Sequence, residues 1–214
     1  MLVQPMTIPI GEQLLMRDIT WQTYEQLLDE FPLERSSRIN YSQGILEIMV
    51  PLPEHEVNKV MISDLLKILL EEFELEFWSL GSTTFQSKKM EAGLEADDCF
   101  YIEHEAEVRG KTRIDLTIDP APDLALEIDI TSRTRLNNYQ ILEVPEVWRF
   151  NGTQLEINIL QSGEYISSLG SPHFPRFPLT QIIPEYLEKS KIDGRNKTMK
   201  AFRTWVQTQI NPQN

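Results

Sequence analysis

With a single cysteine and three histidines, this chain of 214 residues has little soft-metal chemistry available to it. Cys99 has no partner for an intrachain disulfide, which points to a reducing, cytoplasmic setting. His55, His104 and His173 are too widely spaced in sequence for a zinc-ligand pattern. No run approaches the roughly 20 apolar residues needed to span a bilayer, and the N-terminus lacks a signal-peptide profile, so no membrane role is expected. Positive charge is scarce as well: 20 Lys and Arg stand against 33 Asp and Glu, a formal net charge of −13. Nucleic-acid binders usually carry a basic patch, because neutralising phosphate supplies most of their affinity. Here the densest basic groups are Lys88 with Lys89, Arg133 with Arg135, and the tail from Lys189 to Arg203. A nucleic-acid partner would have to rely on a local patch against an unfavourable overall field.

What is present fits an ordinary globular chain, with 41% hydrophobic and 25% charged residues and no internal repeat. The stretch Pro122 to Ser132, PDLALEIDITS, is the most informative. Read with a period of two, Leu124, Leu126, Ile128 and Ile130 share one strand face, while Asp123, Ala125, Glu127 and Asp129 share the other. Side chains two apart on a strand sit about 7 Å apart, so this acidic face calls for a neutralising cation. A divalent metal held by oxygen ligands would serve. The alternative is a surface strand whose acidic face is merely solvated.

Around that strand the pattern alternates between hairpins and helices. Thr20 reads as the N-cap of a helix through about Phe31. Arg38–Tyr41 and Ile45–Val50 flank a tight turn at Ser42-Gln43-Gly44. A strongly apolar helix is expected from His55 to about Phe73, with Val57, Val60, Met61, Leu65, Ile68 and Leu69 as its stripe. Two short strands are expected around Gly81, then a charged loop over residues 88–96, a strand from Asp97, and a surface loop over 104–122. A helix over about Arg133 to Leu142 leads to the strand EVWRF at 146–150, making strand–helix–strand over 123–150 a βαβ-like unit. Asn151-Gly152 signals another hairpin, and two terminal helices fill about 180–210, the first with a break at Pro184. The expectation is one α/β (α+β) domain over residues 18–210, a mixed central sheet flanked by helices, preceded by a lead-in at 1–17.

Four pieces then occur in order. Tyr41-x-x-Gly44-x-Leu46 leads to Pro53-Glu54-His55-Glu56; Glu95-Ala96-Asp97-Asp98-Cys99-Phe100-Tyr101-Ile102 follows. Next come Pro122-Asp123-Leu124-x-x-Glu127-Ile128, and Tyr139 six residues before Pro145-Glu146-Val147-Trp148. Together they resemble the bacterial Uma-type restriction endonucleases, a branch of the PD-(D/E)XK nuclease superfamily. The resemblance implies a restriction endonuclease-like fold and a Mg²⁺ site, with Mn²⁺ as a substitute, that hydrolyses phosphodiester bonds in nucleic acid, DNA above all. By matching position, it implies Asp97 and Glu127 as metal ligands and Glu56 as an additional acidic ligand. The superfamily's lysine two residues after the acid is replaced by Asp129, which could join the ligands or act as a base. Arg135, four residues before Tyr139, takes the place of a basic residue on the following helix; it can stabilise phosphate charge but cannot be a base.

The other candidates read as structural: Tyr101 and Trp148 as core aromatics, Asp98 as surface, Asp123 as a cap at the strand start, His55 as a helix-start residue, Cys99 as an apolar filler. A homodimer is expected, since cutting both strands of a duplex needs two sites. The missing lysine and the acidic charge motivate a competing reading, a non-catalytic binding protein that retains the nuclease fold. Repulsion along the acidic face further predicts that Glu127→Ala leaves the metal-free protein as stable as before, or slightly more so.

Overall fold

Among the described residues eleven strands and six helices follow one another, and the strands divide into two sheets. The computed structural model describes residues 7–31, 37–87, 92–130 and 136–211, without the side chains of 86 and 87. β1 (Gln13–Met16) is followed by α1 (Trp21–Glu30), the hairpin β2 (Arg38–Ser42) and β3 (Ile45–Met49), and the long α2 (Pro53–Glu72). β4 (Trp78–Ser79), β5 (Thr84–Ser87), β6 (Ala92–Glu95) and β7 (Asp98–Tyr101) then lead to the one-turn α3 (Glu105–Val108). β8 (Leu124–Ile128), α4 (Leu136–Ile141) and β9 (Glu146–Phe150) form the βαβ unit. β10 (Leu155–Gln161), β11 (Glu164–Ser168), α5 (Leu179–Asp193) and α6 (Arg195–Ile210) complete the chain.

The six-stranded sheet has the order β11-β10-β9-β8-β7-β4 and is mixed: β8 and β9 pair in parallel, their neighbours antiparallel. This is the mixed central sheet that the sequence predicts. β8 sits in its interior and is buried along its whole length, so its acidic face is not a solvated surface. A second, antiparallel sheet in the order β1-β3-β2-β6-β5 has no counterpart in the sequence reading. Its β1 lies inside the stretch read as a lead-in, and its β6 inside the stretch read as a charged loop.

Each sheet has its own apolar contacts. Leu124, Leu126 and Ile128 of β8 point into the largest core, against Leu65, Leu66 and Leu69 of α2 and Phe202 of α6. Ala125, on the opposite face, packs with Tyr139 of α4, Cys99 and Val147. Trp21 and Tyr24 of α1 cover the second sheet at Ile39, Tyr41 and Leu46. Thr20 caps α1 as expected, accepting from the Thr23 N–H. Gln43 and Gly44 both take positive φ, 45° and 86°, which shapes the β2–β3 turn to the right-handed twist of its strands. α5 runs unbroken through Pro184, losing one ladder bond while Ile183, Tyr186 and Leu187 stay buried.

At Gly93 the reason for glycine is steric: a β-carbon would overlap the ring of Tyr24, itself fully buried and stacked on Tyr41 at 4.9 Å. Gly93→Val is therefore expected to cost about 1–3 kcal/mol of stability by overpacking. A lowered denaturant midpoint at unchanged slope would show it; an unchanged midpoint would mean that α1 can shift freely. Gly93 belongs to β6, and β6 carries the chain to the junction of the two sheets. Only Ala96 and Asp97 separate its end at Glu95 from the start of β7.

Candidate active site

Asp97 sits in that two-residue link and is wholly buried. Its Oδ2 accepts a 2.6 Å hydrogen bond from the Ile128 N–H at the end of β8. The Arg38 guanidinium of β2 lies against its Oδ1 as an ion pair. His55, in the first turn of α2, brings Nε2 to 3.0 Å from Oδ2. Arg38 also donates to Glu56 Oε1 at 3.1 Å, and Lys59 pairs with the other Glu56 oxygen. Asp97 and Glu56 are thus drawn together by a cation that pattern reading of the sequence passes over.

Glu127 lies next door. β7 and β8 pair with Asp98 opposite Leu126 and Cys99 opposite Ala125, and that pairing ends one residue short of both Asp97 and Glu127. The Tyr139 hydroxyl of α4 donates to Glu127 Oε1, and both residues are buried. Burial, reinforced by the Glu127 carboxylate, holds that hydroxyl well above the usual tyrosine range, so it stays protonated and keeps donating.

Asp129 has a different environment. Arg149 of β9 donates to its Oδ2 through Nε at 2.8 Å and Nη2 at 2.6 Å, with both side chains about 95% buried. Arg149 is the parallel-register partner of Glu127, so a guanidinium lies beside the acidic face of β8. The neutralising charge that the sequence calls for is therefore supplied, at Asp129, by the protein itself. Arg135 lies outside the described residues. Asp98 is buried rather than on the surface, accepting from Ser63 at 2.6 Å and Ser79 at 3.1 Å. Asp123 bridges the start of β8 to the chain after β7, accepting from the Ile102 N–H at 2.7 Å and pairing with His104 Nδ1 at 2.5 Å. Tyr101 and Trp148 are core residues, and burial, with Asp98 nearby, pushes the Cys99 thiol far up.

Oxygen donors suit Mg²⁺ in kind; Asp97 lies beside Glu127 but is itself tied to Arg38 through one oxygen and to the Ile128 N–H through the other, so an ion there would have to displace Arg38. Glu56 and Asp129 fit it less well, since one is tied to Arg38 and Lys59 and the other to Arg149. Among the described residues, no three His, Cys, Asp or Glu side chains converge as a ready-made metal cage.

Burial, then the nearby Arg38 charge, lowers His55 from 6.5 to about 4, against the opposing pull of Glu56; Lys59 also lowers it. His55 is therefore neutral at physiological pH. The unfolded chain takes up a proton below pH 6.5, whereas the folded one waits until about pH 4, so stability falls as pH drops through that window. Wild type is expected to lose about 2 kcal/mol more than His55→Gln between pH 7 and pH 5. Equal losses in chemical denaturation would show that His55 titrates normally.

The mixed sheet is thus built around the βαβ unit, with Asp97 beside the end of the strand that carries Glu127. The chain belongs to the Uma2 family, described as "Putative restriction endonuclease", whose pattern matches residues 21–188. A crystal structure of a "putative nuclease" of the DUF820 group from Anabaena variabilis is similar, at 13% identity and a TM-score of 0.49. That likeness covers 88% of this chain and 99% of the other. No curated protein matches the chain. None of the helices among the described residues is long and apolar enough to cross a membrane.

Proposed function

We propose that the chain is a Mg²⁺-dependent endonuclease, able to use Mn²⁺, that hydrolyses phosphodiester bonds in nucleic acid, with DNA as its expected substrate. Asp97 and Glu127 would hold the ion. The observation that supports the reading is that the buried Asp97 is bonded to the Ile128 N–H, the residue after the buried Glu127, where β7 and β8 stop pairing. A metal ion there would polarise the scissile phosphate and lower the pKa of an attacking water. The chain's own groups do the rest. Tyr139 orients Glu127, and neutral His55, Arg38 and the Ile128 N–H hold Asp97. Asp129, held by Arg149, serves as structural ballast for the face rather than as the base.

Two-fold pairing is proposed with this activity, because each strand of a duplex needs its own site. Light scattering that gives a monomer at micromolar concentration would overturn the pairing. The competing reading, a binding protein that keeps the fold without the chemistry, is favoured by the arginines already set against Asp97 and Asp129. Incubating DNA and RNA with the protein and Mg²⁺ or Mn²⁺ separates the two. Metal-dependent cleavage lost in Glu127→Gln supports the nuclease, and no cleavage of any substrate supports the binding protein.

A further inference from the structure

Asp97 already has a cation against it, and that cation belongs to the chain. Arg38 Nη1 lies against Asp97 Oδ1, while Nη2 of the same guanidinium donates to Glu56 Oε1 at 3.1 Å. The two ends of this bridge differ in their access to water. The side chains of Arg38 and Asp97 are 8% and 0% exposed, that of Glu56 43%. The inner contact is dry and the outer one half solvated.

A divalent ion and a guanidinium cannot both sit against one carboxylate, because their positive charges repel at contact distance and burial leaves little water to screen them. The arginine has somewhere to go. A cleft of about 630 Å³ is lined by Arg38, Glu56, Lys59 and Glu95 among others. Released from Asp97, the guanidinium would keep Glu56 as its partner, so its charge would not be left unpaired in the move.

We infer that Arg38 is a built-in blocker of the metal site, closing it while bonded to Asp97 and opening it by swinging into the cleft on Glu56. This rests on the proposed metal-binding role of Asp97 and Glu127. Glu56 then holds the displaced arginine rather than the ion. The metal affinity of the wild type is reduced by the fraction of molecules in which Arg38 is away from Asp97.

The test titrates the full chain with Mn²⁺ while free Mn²⁺ is counted by electron paramagnetic resonance. Arg38→Gln keeps an amide donor for Asp97 but no charge, and is expected to bind Mn²⁺ at least about tenfold more tightly than wild type. Adding Glu127→Gln to Arg38→Gln should abolish that gain. A second readout needs no folded Arg38→Gln. In nitrogen-labelled wild type, the Arg38 Nε–H resonance, assigned by its absence from Arg38→Lys, should move towards those of exposed arginines as Mg²⁺ saturates the chain. Equal Mn²⁺ affinities in wild type and Arg38→Gln overturn the inference and leave the metal site standing. So does an Arg38 resonance that stays in place while Mg²⁺ raises the melting temperature. No Mn²⁺ binding by either protein overturns the inference and the metal site together. Tighter Mn²⁺ binding by Arg38→Gln, with no cleavage of DNA or RNA by either protein, upholds the inference and removes the hydrolytic reading.

Discussion

Glu127→Gln is expected to lower metal-dependent cleavage by at least about a hundredfold while leaving the fold intact. A metal's stabilisation of transition-state charge is worth several kcal/mol, and about 2.7 kcal/mol already corresponds to a hundredfold. The amide removes the charge that would hold the ion but keeps an oxygen where Tyr139 donates. Mg²⁺ should raise the melting temperature of wild type and not of the variant, since a ligand that binds only the folded site stabilises it. Glu127→Ala differs. It leaves the fully buried Tyr139 hydroxyl without its acceptor, at a cost of about 1–3 kcal/mol. The sequence alone predicts no loss, because it shows the repelling acids but neither Tyr139 nor Arg149 beside them. Cleavage and a metal response equal to wild type in Glu127→Gln would remove Glu127 from the chemistry.

The second large effect is structural. Arg149→Met should destabilise the protein by about 3–5 kcal/mol, the usual consequence of leaving a buried charge without its counter-ion. Asp129 and Arg149 are only about 4% and 5% exposed, so water cannot readily replace the guanidinium. Adding Asp129→Asn to Arg149→Met should recover much of that loss, because the uncompensated charge goes with it. Denaturant midpoints for the two single variants and the double variant measure the coupling. Losses that simply add would show that the two side chains act independently.

The local elements were readable because their signals are local. Thr20 caps α1 through its own side chain, the Gln43-Gly44 turn shows in its residues, and EVWRF carries the β-branched and aromatic residues that strands favour. The misreadings came from contacts distant in sequence. Val57 and Val60 fit an apolar stripe, yet they are 61% and 50% exposed. Polar contacts turn α2 instead: His55 meets Asp97 and Ser63 donates to Asp98. β6 is built from Ala-Gly-Leu-Glu, which has weak strand propensity; Gly93 is needed because Tyr24 packs over it. At the candidate site, Glu127 shows in the acidic alternation of its strand and Asp97 through the family resemblance. Arg38 and Arg149 do not, since only the folded strand order sets them against acids 59 and 20 positions away. An arginine flanked by Trp148 and Phe150 in EVWRF was the one available hint.

The link at Ala96–Asp97 makes the candidate site a gauge of the angle between the sheets. Arg38, Asn40 and Glu95 belong to one sheet, and Asp97 is anchored to Ile128 of the other. A rotation of one sheet on the other has no slack loop in which to dissipate, so it arrives at the carboxylate as a change in distance to Arg38. Substitutions far away, on the exposed edge of β1 for example, would reach the site by tilting the sheet that carries Arg38. Their influence would follow the tilt they cause, whatever the chemistry of the substituted residue.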